Sequence, residues 1–273
     1  VVVTGFAAAV AVGTGLLMLP IARSGPGGAG FVEALFTSTS AVCVTGLTVV
    51  DTPTYWTGFG QVVILGLIQV GGFGIMTLAS LLSLLVVRRM GLRSRLTVAA
   101  ETRSVGIGDV RRVLLGVAII SAVVETAVAV MLTARFALAY DEPLPRAVYL
   151  GVFHSVSAFN NAGFSLYRDS LVGFDSDWLV LLPVMGAVII GGLGFPVLVD
   201  LRRVRGRWRE LTLHSKVTIS ATAALLVLGF VLLTLTFGSG SGGTGGALGT
   251  VFDPITNAAS RALKPVRDLV NWF

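Results

Sequence analysis

The chain is dominated by long unbroken apolar runs, with little of the strict alternation that marks half-buried strands. Runs of about the 20 residues needed to cross a bilayer lie at approximately Val1–Ile21, Thr57–Val87, Val113–Ala139, Trp178–Leu201 and Val217–Phe237. The run from Thr57 exceeds the bilayer's requirement, which predicts tilting, bending or extension beyond the membrane. About 35 residues separate the first and second runs, and nearly 40 the third and fourth. Each of these connectors holds a short semi-apolar stretch of helical character, Phe31–Val42 and Leu144–Phe159. Neither is long enough to cross, so both are predicted to be re-entrant helices. The pattern predicts an all-α membrane fold.

Composition agrees. Only 12% of residues are charged and 54% are hydrophobic, with mean hydropathy +0.88; ordinary soluble domains carry about 25% charge. The pI of about 10.2 could suggest nucleic acid, but the positions of the charges argue against it. Of 20 Lys and Arg, seven lie between Arg88 and Arg112 and six between Arg202 and Lys216. Basic clusters between apolar runs are a topology signal that places both loops in the cytoplasm. The two connectors then face outside, where Asp51, Asp141, Glu142, Asp169, Asp175 and Asp177 would raise the local cation concentration. Cys43 is the single cysteine, so neither a disulfide framework nor a thiolate metal site is expected. Val1–Leu19 lacks a basic n-region and a cleavage site, and reads as a spanning helix or the remainder of one.

The chain also repeats itself. Shifted by 117 residues, Phe36 falls on Phe153, Ser38 on Ser155, Ser40 on Ser157, Ala41 on Ala158 and Gly46 on Gly163. Gly71-Gly72-Phe73-Gly74 matches Gly191-Gly192-Leu193-Gly194 at a shift of 120. Two units of span, short helix, glycine-containing loop and span therefore lie in parallel, about an axis along the membrane normal.

A short helix that enters from outside and stops at mid-membrane aims its partially negative C-terminal end at the bilayer centre. Irregular backbone follows, and at that depth it survives only where it lines an aqueous cavity or is buried in protein. Val44-Thr45-Gly46-Leu47 and Asn161-Ala162-Gly163-Phe164 occupy these places and contain no negative side chain. Backbone carbonyls would have to be the ligands, and rings of carbonyls are how K⁺ is stripped of water. A lone TGL or AGF says nothing, since glycine is common in membrane helices. Two such loops in matched register make the pore reading the stronger one.

Phe36–Thr77, Phe153–Leu166 and Gly191–Val197 together resemble the Trk/Ktr/HKT potassium transporters, within them the KtrB-type membrane subunit, over roughly residues 1 to 237. That resemblance implies four helix–pore helix–helix repeats around one pore, with a filter glycine in each. It implies that carbonyls of Cys43, Val44, Thr45, Gly46, Asn160, Asn161, Ala162 and Gly163 coordinate K⁺. A serine in place of the first filter glycine goes with Na⁺ selectivity in the plant branch, so Gly46 favours K⁺. It further implies K⁺ uptake across the plasma membrane, a membrane homodimer, and a cytosolic ring of nucleotide-binding regulatory subunits facing the basic loops. K⁺ is the substrate ion, no covalent cofactor or nucleic acid is expected, and coupling to Na⁺ is left open.

The expected organisation is a first repeat over 1–88, a basic loop over 89–112, a second repeat over 113–201, a basic loop over 202–216, the first helix of a third repeat over 217–237, and a Gly-rich linker with an atypical tail over 238–273. The tail places Ala262, Leu263 and Lys264 where a third filter would stand, so it is not read as a filter. Two complete repeats imply either a piece of a longer protein or two chains combining; a non-conducting fragment or scaffold is the alternative function. Among single residues, His154 is read as packed or hydrogen-bonded in the second pore helix and His214 as a solvated helix start. Asp200 with Arg202 and Arg203 is read as marking a membrane interface. Glu125, a carboxylate inside an apolar run, is either functional or a helix–helix hydrogen bond to a Ser, Thr or Arg. A membrane-embedded enzyme or solute carrier using Glu125 is the more remote alternative. No metal-ligand spacing or catalytic triad accompanies it.

Overall fold

The computed structural model describes residues 2–89, 107–204 and 208–237. The chain divides into two compact units, one comprising Val1–Gly173 and Leu179–Val199, the other Phe174–Trp178 and the chain from Asp200 onward.

The first unit contains α1 (Val2–Leu17), α2 (Phe31–Val42), a single turn α3 (Thr52–Tyr55), α4 (Gly58–Arg89), α5 (Ile107–Ala139), α6 (Leu144–Phe159) and nearly all of α7 (Trp178–Leu193). Helices α1, α2 and α4 pack on one another, α5 packs on α6, and α4 also meets α5 and α6. The two short helices begin and end where the sequence places them. Gly30 precedes α2 in extended backbone, and Pro145 sits in the first turn of α6, where its missing N–H is not needed.

Burial along α5 recurs at Val117, Ser121, Val128, Leu132 and Phe136, while Leu115, Ile119, Val123 and Val130 are exposed. That spacing turns one stripe inward and leaves an apolar face for lipid. On α4 the buried positions include Gly60, Gln61, Ile64, Leu67, Ile68, Gly71 and Gly72. The inward stripe mixes glycine and glutamine with Ile64, Leu67 and Ile68, while Val62 and Val70 face outward, so the polar side chains of this helix are kept away from lipid. Among the described residues, Gly58–Leu78, Leu114–Ala139 and Leu213–Thr234 are long and apolar enough to cross a membrane, and a bent pair makes a fourth. This is a multi-pass membrane protein.

Every span differs somewhere from its expected limits: α5 begins at Ile107, not Val113, and the last described helix at Leu213, not Val217, so the ends of both expected basic loops are helical. α4 runs 32 residues, about 48 Å at the helical rise, well beyond a ~30 Å hydrocarbon core. It continues through Arg88 and Arg89, so extension is the outcome among the options expected for it. α1 stops at Leu17, short of Ile21, because Pro20 holds Leu19 extended at φ −61°, ψ 141° and opens a 3₁₀ turn. The span expected over Trp178–Leu201 is broken into α7 and α8 (Phe195–Arg203), bent by 96°. Gly194 takes φ +80° at the break, and Pro196 has no N–H with which to continue the ladder.

The connector between α1 and α4 is tied across its base. Thr57 donates its N–H to the Ala22 carbonyl at 3.0 Å and its hydroxyl to the Ile21 carbonyl at 2.6 Å, and Ser24 N–H reaches the Tyr55 carbonyl at 2.8 Å. Arg23 lies 5.2 Å above the Tyr55 ring and donates to the Gly28 carbonyl.

In the second unit α9 (Leu213–Phe237) has a built start. Thr212 is its N-cap and accepts the Ser215 N–H on its hydroxyl at 3.3 Å. Asp200 accepts from the Thr212 N–H at 2.9 Å, the Thr212 hydroxyl at 2.8 Å and Arg203 at 2.9 Å. Asp200, expected only to mark an interface, therefore fixes the turn into α9. His214 is exposed at that start. The stretch 90–106 of the first basic loop, 205–207 of the second, and the linker and tail over 238–273 lie outside the described residues.

Candidate functional site

The two short helices α2 and α6 end in the same hydrogen-bonded turn. After α2, Val44 N–H bonds to the Ala41 carbonyl at 3.2 Å and Thr45 N–H to the Ser40 carbonyl at 3.0 Å. After α6, Asn161 N–H bonds to Ala158 at 3.0 Å and Ala162 N–H to Ser157 at 2.7 Å. Every partner is shifted by the repeat offset of 117 residues. Both are Schellman ends, which require a left-handed residue just past the helix. Val44 and Asn161 fill that place at φ 56° and 57°, and Gly46 and Gly163 follow at φ 71° and 73°. Asparagine tolerates this conformation, whereas a β-branched valine is strained in it.

The turn decides which backbone groups each loop can offer. Its first N–H groups are consumed by the carbonyls of its own pore helix. Among the described residues, no hydrogen bond ends on a carbonyl of Cys43–Gly46 or Asn160–Gly163. The loops present acceptors and no negative side chain, the polarity a cation requires.

Side chains lock the loops to the rest of the unit. Thr45 hydroxyl donates to Ser40 Oγ at 3.0 Å, and the matching Ser157 hydroxyl donates to the Phe164 carbonyl at 2.7 Å. Asn161, in the amide orientation its neighbours satisfy, donates to the Val188 carbonyl at 3.2 Å and accepts the Gly192 N–H at 3.3 Å. His154 bonds through Nδ1 to the Leu150 carbonyl at 2.8 Å; its Nε2 lies 3.1 Å from Ser165 Oγ and accepts the Leu166 N–H at 3.4 Å. With Nε2 accepting that N–H the ring is neutral, and it fastens the Ser165–Leu166 segment to α6. Tyr167 stacks on it at 5.3 Å; burial, with the Glu142 charge, pushes that phenol up to about 12, so it stays protonated.

Helices α4 and α7 reach the loops by way of glycine. A Cβ on Gly71 would overlap the Val42 carbonyl oxygen, and one on Gly191 would overlap the Phe159 carbonyl oxygen. These are corresponding contacts, made at the last turn of each pore helix. Between the repeats, the two loops meet: a Cβ on Gly46 would lie 3.1 Å from Gly163 Cα.

Polar side chains join the repeats at two levels. Tyr149 hydroxyl donates to Gln61 Oε1 at 2.7 Å. Gln69 Nε2 donates to both Glu125 oxygens at 3.1 and 3.2 Å, and Asn160 Nδ2 donates to Glu125 Oε1 at 3.1 Å, to Gln69 Oε1 at 3.2 Å and to the Val156 carbonyl at 2.9 Å. The partners of Glu125 are thus two amides, not the Ser, Thr or Arg expected from sequence. Glu125 also borders a cavity of about 620 Å³ between α5 and α6. Sequence reading passed over Gln61 and Gln69; their spacing of eight places both on one face of an otherwise apolar helix, which is the signal that marks them.

Residues 14–239 match the family described as TrkH, cation transport protein. Ktr system potassium uptake protein B of Bacillus subtilis (strain 168) is 39% identical over 225 residues, 82% of this chain and 49% of that protein. Potassium/sodium uptake protein NtpJ of Enterococcus hirae is 35% identical over 236 residues, 86% of this chain and 51% of that protein. Ktr system potassium uptake protein B of Vibrio alginolyticus is 37% identical over 224 residues, 81% and 48% respectively. The chain spans about half the length of the curated relatives it matches.

Proposed function

From the premise that this chain belongs to the TrkH cation transport protein family, we propose that it supplies two quadrants of a K⁺-conducting pore in the plasma membrane. The observation that carries this reading is the pair of free-carbonyl loops, each following a Schellman end and each with a second left-handed residue at its glycine. K⁺ sheds water onto carbonyls of Cys43–Gly46 and Asn160–Gly163, while the negative ends of α2 and α6 hold it at mid-membrane. The pore loops open outward and the basic stretches face the cytoplasm. There the membrane dimer rests on a nucleotide-binding regulatory ring, and Na⁺ is the coupling ion to examine.

The test is growth of a K⁺-uptake-deficient bacterium at low K⁺ on the complete transporter, with Gly46→Ser alongside. Growth that is K⁺-selective with the native chain and loses selectivity with Gly46→Ser supports the reading. Unchanged K⁺/Na⁺ discrimination in Gly46→Ser removes the filter assignment.

The contact between Gly46 and Gly163 favours a second reading for residues 1–273 taken alone. Two loops in van der Waals contact leave the ion site to be completed by two further quadrants, from additional chain or a second copy. Liposomes holding only these 273 residues would then show no K⁺ flux while the longer form conducts. A carrier built on Glu125 is disfavoured because two amides already occupy that carboxylate.

A further inference from the structure

The polar cluster at Asn160 sits directly behind the second loop, and the repeat does not reproduce it. The shift of 117 takes Asn160 to Cys43 and Glu125 to Ala8, and the shift of 120 takes Gln69 to Ile189. A carboxylate within an apolar helix is costly, so its presence at one seam and not the other asks for a reason that packing does not supply.

The reason lies in what a carboxylate can do that an amide cannot. Gln69 and Asn160 each have a donor end and an acceptor end and can bond in either orientation; an ionised Glu is acceptor-only. Set between them, Glu125 draws the nitrogen of both amides toward itself. Gln69 Oε1 is then left to receive Asn160 Nδ2 at 3.2 Å. Both amide nitrogens face the carboxylate, and the two hydrogens of Asn160 Nδ2 are shared among Glu125, Gln69 and the Val156 carbonyl. Asn160 is also the C-cap of the second pore helix, at φ −79°, ψ 0°, and the first residue of the carbonyl run through Gly163. Holding its side chain therefore holds the origin of that run. K⁺ and Na⁺ differ by fractions of an ångström in the cage they prefer, and sites of this kind need support from the residues behind them.

Resting on the proposed function, we infer that Glu125 is a positioning residue that acts through Asn160 to set the K⁺/Na⁺ discrimination of the second loop. Glu125→Gln keeps the shape and removes the acceptor-only character; Glu125→Leu removes the hub. In the complete transporter reconstituted in liposomes, K⁺/Na⁺ discrimination falls about tenfold in Glu125→Leu, the loss expected for one charge-assisted hydrogen bond, and by less in Glu125→Gln. Asn160→Ala produces a similar fall, and adding Glu125→Leu to it produces no further fall. The same order appears in the excess thermal midpoint in potassium chloride over sodium chloride, measured on purified protein of native oligomeric size.

Additive losses in the double variant, or unchanged discrimination in Glu125→Gln and Asn160→Ala, overturn the inference. Gly46→Ser in the same assays separates the two levels. If it shifts discrimination and the Glu125 variants do not, only the positioning role falls. If none shifts it, the filter assignment falls and takes this role with it.

Discussion

Gly46 and Gly163 meet backbone to backbone. A Cβ on Gly163 would stand 3.3 Å from Gly46 Cα, and one on Gly46 would stand 2.6 Å from the Ala162 carbonyl oxygen. Both residues hold φ above +70°, so any side chain here is penalised twice, by conformation and by contact. Gly46→Ala is expected to cost about 1–2 kcal/mol in backbone strain alone and to abolish growth at low K⁺ before it abolishes expression. Normal K⁺-selective growth of Gly46→Ala would show that this contact is dispensable.

Val44 presents the opposite case. It is a β-branched residue at φ 56° in a place where its counterpart, Asn161, is comfortable. Val44→Asn should raise the thermal midpoint of the purified protein, by the equivalent of about 1 kcal/mol. A lowered midpoint would mean that valine contacts outweigh the strain.

Glycines on one helix should respond in opposite senses. Gly71 lies against the Val42 carbonyl, whereas Gly66 has nothing within 4 Å of where its Cβ would be. Gly66→Ala should be neutral to stabilising by up to about 1 kcal/mol, the helix-propensity gain. Gly71→Ala and Gly191→Ala should lower the yield of folded protein, measured by size-exclusion chromatography in detergent. Equal behaviour of Gly66→Ala and Gly71→Ala would remove the close-approach argument.

His154→Ala leaves the Leu166 N–H and the Ser165 hydroxyl without their buried partner. Such groups cost about 1–3 kcal/mol each when unsatisfied, so the variant should melt earlier and its connector between α6 and α7 should be cut faster by protease. His154→Gln, which can still accept at the same depth, should recover part of the loss. Protease sensitivity equal to the native chain in His154→Ala would place the hold on this segment elsewhere.

At the start of α9, Thr212→Ala deletes the N-cap and one of the bonds to Asp200. About 1 kcal/mol of stability should go with it. A thermal midpoint unmoved in Thr212→Ala would show that this helix end is held by other means.

The local conformation of the loops was legible in the sequence because it repeats. Matching Ser40 to Ser157 and Gly46 to Gly163 anticipated turns whose hydrogen bonds agree partner by partner. The limits of α2 and α6 were equally plain, since Gly30 and Pro145 punctuate apolar stretches too short to cross. The break at Gly194 was written as Gly-Phe-Pro, yet a run of apolar residues on both sides concealed it. The sequence marked Glu125 and Asn160 singly, but not that they meet each other and Gln69. The members of this cluster stand 56 and 35 residues apart, and only the facing of α4 toward α5 and α6 brings them together. Sequence patterns report which side of a helix is polar; they do not say which neighbour it meets.

The two levels of bonding between the repeats make the halves of this unit non-interchangeable. A chain assembled from two copies of the first repeat would keep both filter glycines and both Schellman ends. It would bring Val32 and Cys43 to the places of Tyr149 and Asn160, leaving Gln61 with only its bonds to the Trp56 and Pro53 carbonyls of its own repeat and Gln69 without the carboxylate and amide it meets. A chain built from two copies of the second would face Leu181 against Tyr149 and Ile189 against the Glu125–Asn160 pair, which would keep its own bond and lose the amide that joins it to the other repeat. The order of the repeats is therefore encoded apart from the filter, in a few side chains that act as a key, and shuffling them would fail at assembly before it failed at conduction.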